Sequence, residues 1–527
     1  MINNLIQHKY LLIFFTFIFF FIYFDYFDSS DNHTILSWDE INYSKSGRAG
    51  FIENAFEFKS QNFIEFIKKG LINISNKNIL LKNADIETLK NIIEDEDIFK
   101  LRHYHPPLYS FYLSFIYSIY PKKNLDIELR NAHKIIGYSI ILTLFIIFYL
   151  VTKNSKKNFY KSLLFYLLLF SFFYSEIFQR NLENLNYHTI FSLSIIYFSY
   201  SLYKYILKTN IKNITRLAIS ISLILISLET AIFVLFTSLI YLFFYNNKFI
   251  NKNLIYTIII ALIIFIVIWP SNIYNLSLVK TYLMYFYRLF VVSGAEYSDL
   301  NLLNFLINIF FNNYGLIILF LFSIIIFLFM NFKNKSLYGL FLFNPVMYFL
   351  LIINFSHHSN YLLPSFTMMF FFLTLVLFKN KLSNINNILN VFIILLICFI
   401  NFNYNFDNNI NKINKRNDIF LIEDYLISDL KVNDIIISDD AHIFNYYLDI
   451  QDMITLNLYN KYNPKFYIEY NDENYDLKNV IHQKLVRYFI INKSRQFKQE
   501  QYEYLLQNDY IKTDFNNYYV FKLSKNS

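Results

Sequence analysis

Long apolar runs punctuated by lysine decide what this chain can be. Residues 134–151, 188–207, 254–270, 314–331, 337–355 and 361–378 each come close to the roughly 20 apolar residues that cross a bilayer as a helix. Lipid offers no hydrogen-bond partner to an open backbone, so runs of this kind must be helical. The chain of 527 residues is 55% hydrophobic and 21% aromatic but only 16% charged, which a soluble domain of this size would not be. The expected class is a polytopic α-helical membrane protein.

The basic clusters orient it. Lys153, Lys156, Lys157 and Lys161 follow one run; Lys208, Lys212 and Arg216 another; Lys248 and Lys252, Lys333 and Lys335, and Lys379 and Lys381 mark the rest. The positive-inside rule places these loops in the cytoplasm. They also account for the formal net charge of +8, so no nucleic-acid partner is called for. Residues 10–24 read as an uncleaved anchor with the N-terminus cytoplasmic, because residues 25–31 offer no small-residue cleavage site. The run from Pro106 to Tyr120 would reach about 22 Å as a helix, short of a bilayer core of about 30 Å, and is expected to dip in without crossing. That leaves Arg130 extracytoplasmic. Residues 217–245 have basic flanks on both sides and should form a pair of short helices with Glu229-Thr230 at the tip; one long tilted helix is the alternative. Trp269-Pro270 reads as an interfacial aromatic followed by a helix breaker. The map contains about eleven crossings and ends with the C-terminus extracytoplasmic. A single cysteine, Cys398, excludes a disulfide within the chain.

Composition divides the chain near residue 405. Residues 1–404 form the membrane domain, in which 25–105 is a long polar outer loop. Two stretches of that loop are amphipathic at helical spacing. In Phe51 to Lys69, Phe56, Phe63, Phe66 and Ile67 oppose Glu53, Glu57, Lys59 and Lys68; the other is Ala84 to Phe99. Surface helices and a small packed loop domain both suit them. Residues 405–527 read as a small extracytoplasmic α/β domain. Strands are expected at Asn433–Asp439 and Leu485–Asn492, and helices at Asp418–Leu430 and Ser494–Gln507. This part has no glycine-rich phosphate loop, so no nucleotide site is expected there.

The chemistry-bearing residues gather at helix mouths that this map puts on one face. Asp39 and Glu40, in Trp38-Asp39-Glu40-Ile41-Asn42-Tyr43, stand where a partly desolvated carboxylate could deprotonate a hydroxyl. His103 and His105 precede Pro106-Pro107-Leu108-Tyr109, where two prolines fix how the chain enters the membrane. His357 and His358, with Tyr361, open another helix. Arg130, Arg180, Glu183 and Glu229 are single charges beside spans, expensive near lipid and therefore site candidates. Each signal has a blander reading: polar loops beside membranes, an ordinary helix start, a snorkelling arginine.

In order along the chain, Asp39-Glu40 with Tyr43, residues 105–109, Arg130 with Gly137, Arg180 with Tyr187, and Tyr361-Leu362-Leu363-Pro364 resemble the membrane glycosyltransferases of the GT-C fold. The likeness is to the protein O-mannosyltransferase and aminoarabinose transferase group. It implies transfer of a sugar, with inversion, from a polyprenyl-phosphate donor to a lipid, glycan or protein acceptor on the outer face of a membrane, for which the bacterial inner membrane is the expected location. It implies Asp39 as the catalytic carboxylate with Glu40 beside it, and Arg130 with Arg180 or His105 on the donor phosphate. A divalent cation, magnesium or manganese, held by Asp39, Glu40 and Glu183 is left open. Relatives carry an Asp in the second outer loop, where this chain offers Glu183, Asn184 and Asn186. The rival readings are a lipid or sugar transporter or flippase and a polysaccharide ligase or polymerase. A transporter would carry inverted repeats and charges at the bilayer midplane.

Overall fold

The computed structural model describes residues 38–57, 105–120, 125–152, 175–245, 252–274, 332–355 and 359–379, much of 418–426, strands between 436 and 469, residues 486–493 and 499–524, and isolated positions elsewhere. The first element, α1 (Trp38–Arg48), lies in the stretch expected to be loop. Positions 39 and 40 stand in its first turn, and Lys45 and Arg48 in its last, where their charge complements the helix dipole. Gly50, at φ 92, turns the chain into α2 (Phe51–Phe56), which ends where Glu57 enters the left-handed region. The amphipathic run expected from Phe51 to Lys69 therefore breaks at Glu57, and residues 58–69 lie outside the described residues.

Glu57 is not on a polar outer face. It is buried; its Oε1 accepts from Trp269 Nε1 at 2.9 Å and its Oε2 from Ser277 Oγ at 2.7 Å. Trp269 is fully buried rather than interfacial. Its indole N–H finds a carboxylate and its ring packs edge-on to Phe265, which removes the reason to sit at the headgroups.

Helix α3 (Leu108–Ile119) is about 18 Å long, too short to span. It packs on α1 through small residues. Ser46 Oγ lies 2.8 Å from Ser110 Oγ, Ser44 Oγ 2.5 Å from Tyr117 OH, and Ser114 Oγ donates to the Gly47 carbonyl at 2.7 Å. Small side chains let two backbones approach, and hydroxyls then link them where no water competes. Helix α4 (Asp126–Thr152) begins eight residues before the expected start at 134, with Asp126 and Glu128 in its first turn. Then come α5 (Glu176–Glu183), capped by the Ser175 hydroxyl, and α6 (Tyr187–Leu207), capped by Asn186. Among the described residues, α4 and α6 are long and apolar enough to cross a membrane, and several shorter apolar helices accompany them.

Helices α7 (Ile211–Leu225) and α8 (Ala231–Tyr245) form the expected hairpin, its turn carrying Glu229-Thr230. α9 (Lys252–Ile268) and α10 (Ser271–Tyr274) follow. α11 (Phe332–Phe355) contains Pro345, whose carbonyl accepts from Ser365 Oγ on α12 (Leu363–Lys379). Asn344, beside that proline, bridges to α8 by accepting from Thr237 and donating to Ser238.

The C-terminal part forms a six-stranded mixed sheet in the order β3-β2-β1-β4-β6-β5. Its strands are β1 (Ile436–Ser438), β2 (Met453–Asn457), β3 (Ile468–Glu469), β4 (Tyr488–Asn492), β5 (Tyr510–Asp514) and β6 (Tyr518–Leu523). The β3-β2-β1-β4 half is parallel and the β4-β6-β5 half antiparallel. Strands fall in both stretches read as strands, and α13 (Gln499–Gln507) lies within the run read as the last helix.

Candidate active site

The site is assembled at the starts of α1, α3, α4 and α6, the α5–α6 turn, and the tip of the α7–α8 hairpin. Its first centre is Glu40, with about 1% of its surface exposed. One carboxylate oxygen accepts from Arg130 Nη2 at 3.3 Å and the other from the Leu185 backbone N–H at 2.9 Å. Leu185 is free to give its N–H away because it lies between helices, in the Asn184-Leu185-Asn186 turn. Asn186 holds that turn by donating to the carbonyls of Asn184 and Asn181. Arg130 is buried as well, so it is not a snorkelling residue. Withdrawing both ions from water costs more than their attraction readily repays. The pair is therefore better read as fixing where α1 sits than as a source of stability.

The second centre is His105, whose Nδ1 lies 2.8 Å from Glu229 Oε2. The His105 ring packs 4.4 Å from that of Tyr187, and Tyr187 in turn 4.9 Å from Tyr43. The hairpin tip is tied down from two sides. The Leu108 N–H donates to the Ile226 carbonyl at 2.8 Å, and Thr230 Oγ1 lies 2.9 Å from Tyr348 OH. Pro106 and Pro107 have no N–H to offer, so Leu108 is the first residue after them that can make this link.

His133 stands one turn along α4 from Arg130 and is fully buried. Its Nε2 faces the Asn181 carbonyl at 2.7 Å and its Nδ1 the Tyr109 hydroxyl at 2.8 Å. A carbonyl only accepts, so in the neutral ring Nε2 carries the hydrogen and Nδ1 accepts from Tyr109. One imidazole thus joins α3, α4 and α5. Sequence reasoning missed His133; its spacing of three from Arg130 on one helix face was the available signal. It also missed Tyr348, an aromatic inside an apolar run with nothing to distinguish it.

Of the residues singled out from sequence, Glu40, Tyr43, His105, Arg130 and Glu229 come together here. Tyr361 is half-buried and packs edge-on to His188, in the first turn of α6, with ring centroids 4.2 Å apart. Arg180, with 45% of its side chain exposed, pairs with buried Glu176 at 2.5 Å on α5, the helix that ends in Glu183. Position 39 is in the first turn of α1, but the Asp39 side chain, like His103, His357 and His358, lies outside the described residues. The cation read from Asp39, Glu40 and Glu183 turns on the Asp39 side chain, which lies outside the described residues. Both Glu40 oxygens are engaged within the protein, and among the described residues no group of three His, Cys, Asp or Glu is arranged to hold a metal ion.

No protein-family model matches this chain, and no curated protein matches it by sequence. Solved structures do. The crystal structure of ArnT from Cupriavidus metallidurans in the apo state matches with a TM-score of 0.50 at 8% identity, over 87% of this chain and 97% of that one. The crystal structure of the same protein bound to undecaprenyl phosphate matches with a TM-score of 0.53 at 7% identity, over the same shares of both chains. The fold is that of the GT-C membrane glycosyltransferases. At such identity the likeness is one of fold. A GT-C fold is a polytopic membrane architecture, which agrees with the apolar runs. The site residues Glu40, His105, Arg130 and Glu229 come from distant segments and meet near helix ends.

Proposed function

We propose that this chain is a membrane glycosyltransferase. It moves a sugar, with inversion, from a polyprenyl-phosphate donor to a hydroxyl of a lipid, glycan or protein acceptor on the outer face. The observation that carries the reading is the polar cluster at one set of helix mouths in a GT-C fold. A structure with this fold holds undecaprenyl phosphate, which supports a lipid-phosphate donor.

In the proposed reaction the acceptor oxygen attacks the anomeric carbon of the donor. The new C–O bond forms as the bond from that carbon to the phosphate oxygen breaks, and the electron pair leaves with polyprenyl phosphate. Asp39 takes the acceptor's proton. Position 39 lies about 100° around α1 from position 40. The Glu40 contacts to Arg130 and Leu185 therefore set the angle at which α1 presents Asp39. On this reading Glu40 and Arg130 are positioning residues. Arg180, the half-exposed guanidinium, is assigned to the leaving phosphate, where positive charge offsets the charge that develops.

The test is lipid analysis. Cells lacking the chain should accumulate a polyprenyl-phosphoryl sugar and lose one glycan, and the wild-type chain should reverse both. An unchanged lipid and glycan profile would overturn the reading.

A further inference from the structure

We infer that the corner between α6 and α7 binds an anionic membrane phospholipid, with its headgroup phosphate between Lys204 and Arg216 and its acyl chains along Leu207 and Ile211. Lys204, Lys208, Lys212 and Arg216 recur at every fourth position across this corner, and the sequence holds no aspartate or glutamate between Glu183 and Glu229. Two of the four cations converge. Lys204 Nζ lies 5.4 Å, and the Arg216 guanidinium carbon 5.6 Å, from the centroid of one ring, that of Tyr200. The first comes from the last turn of α6 and the second from α7. Asn213 fixes the arrangement. Its Nδ2 donates to the carbonyls of Lys204 at 3.2 Å and Lys208 at 2.7 Å, and its Oδ1 accepts from Arg216 Nη1 at 3.1 Å. One amide thus closes the end of α6 and sets the direction of the guanidinium.

Two like charges held against one ring repel each other, and the ring face offsets only part of that cost. A phosphate between them supplies the opposite charge, and its oxygens suit both a guanidinium fork and an ammonium. Lys208 and Lys212, exposed on the same corner, add to the attraction. The apolar side chains decide where that phosphate comes from. Leu207 is 52% exposed and Ile211 83%. Inorganic phosphate would leave both bare, whereas acyl chains cover them. Basic pockets between membrane helices on the cytoplasmic side, where the positive-inside rule puts this loop, meet anionic headgroups in this way. A choline headgroup carries its own cation and gains less. Helix α6 runs about 31 Å from Tyr187 to Leu207. The corner is therefore at the opposite end of α6 from the candidate active site, and the lipid held there is not the donor.

The experiment uses the full-length chain in nanodiscs of phosphatidylglycerol and phosphatidylcholine in equal parts, with retained lipid weighed by native mass spectrometry. Wild type should retain phosphatidylglycerol in preference. Lys204→Gln and Arg216→Gln should each weaken that retention about fivefold, and the two together about thirtyfold. Lys208→Gln with Lys212→Gln changes only exposed side chains, remains informative if the first pair folds poorly, and should also weaken retention. Lys156→Gln with Lys157→Gln removes the same charge from another basic loop and should retain lipid as wild type does. Added inorganic phosphate should leave the lipid in place. Equal retention of the two lipids by wild type would overturn the site, as would unchanged retention in either double variant of the corner. An equal loss in the Lys156 and Lys157 variant would reduce the effect to net charge and overturn it too. Displacement by inorganic phosphate would overturn the assignment to a lipid.

Discussion

Arg130 Nη2 donates to Glu40 Oε2 at 3.3 Å across ninety residues of sequence, with both side chains at 5% exposure or less. The contact joins α1 to α4 at the point where the chain enters the candidate active site. Removing one partner leaves a buried charge unanswered, at a cost of about 3–5 kcal/mol. Arg130→Ala should therefore lower the thermal unfolding temperature in detergent. The double variant Glu40→Gln with Arg130→Met should recover most of the loss. Equal stability of wild type and Arg130→Ala would show that the pair does not hold α1.

Asp39→Asn preserves size and removes the base. Transfer should fall by about 10²–10⁴-fold, with membrane abundance and unfolding temperature unchanged. Turnover of a polyprenyl-phosphoryl sugar measures the first, and blotting with a melting curve the second. Full turnover at normal abundance would take Asp39 out of the scheme.

Arg180→Lys should be impaired almost as much as Arg180→Ala. A planar fork that grips phosphate through two N–H groups is not replaced by a point charge. Both variants should bind undecaprenyl phosphate more weakly in nanodiscs, by about tenfold. Unaltered binding in Arg180→Ala would reduce this residue to its ion pair with Glu176.

The two close helix approaches should answer differently to alanine. A Cβ at Gly47 would sit 2.4 Å from Leu113 Cβ and 3.2 Å from its backbone carbonyl carbon, so α1 and α3 would have to separate. A Cβ at Gly137 would meet the Leu182 Cδ1 tip at 2.4 Å, and a leucine tip can turn away. Gly47→Ala is expected to cost about 1–3 kcal/mol and to depress transfer by shifting α1. Gly137→Ala should be milder in both. The comparison needs only melting curves and the turnover assay; the reverse order would contradict the packing.

Topology is open to cysteine labelling once Cys398 is replaced. A cysteine at Lys157 should resist an impermeant maleimide added outside, and one at Asn32 should react. The rule behind both is the exclusion of basic loops from the outer side. External labelling at 157 would put the site on the wrong face for a lipid-linked donor.

The primary sequence alone determined the class of protein, the hairpin at Glu229-Thr230 and several of the residues that the fold brings together, Glu40, Tyr43, His105, Arg130 and Glu229 among them. Each of these rests on short-range information. Apolar length reports a span, a basic loop its side, and a charge beside lipid its own cost. What the sequence could not carry was partnership. Glu40 reads as a second acid beside Asp39 until Arg130 and the Leu185 N–H occupy its two oxygens. Nothing in the sequence around His105 shows that Glu229, 124 positions away, meets its Nδ1. Trp269 reads as a headgroup anchor until Glu57 accepts its indole N–H from within. Helix α1 was invisible for a related reason. Its contact with α3 runs through Ser44, Ser46 and Gly47, with only Ile41 and Tyr43 buried beside them as large apolar residues among its described positions. No hydrophobic period marks such a face, because what stabilises it is the close approach of α3. That approach, like every one of these pairings, exists only once the helices have packed and the water that would have answered each polar group has been excluded.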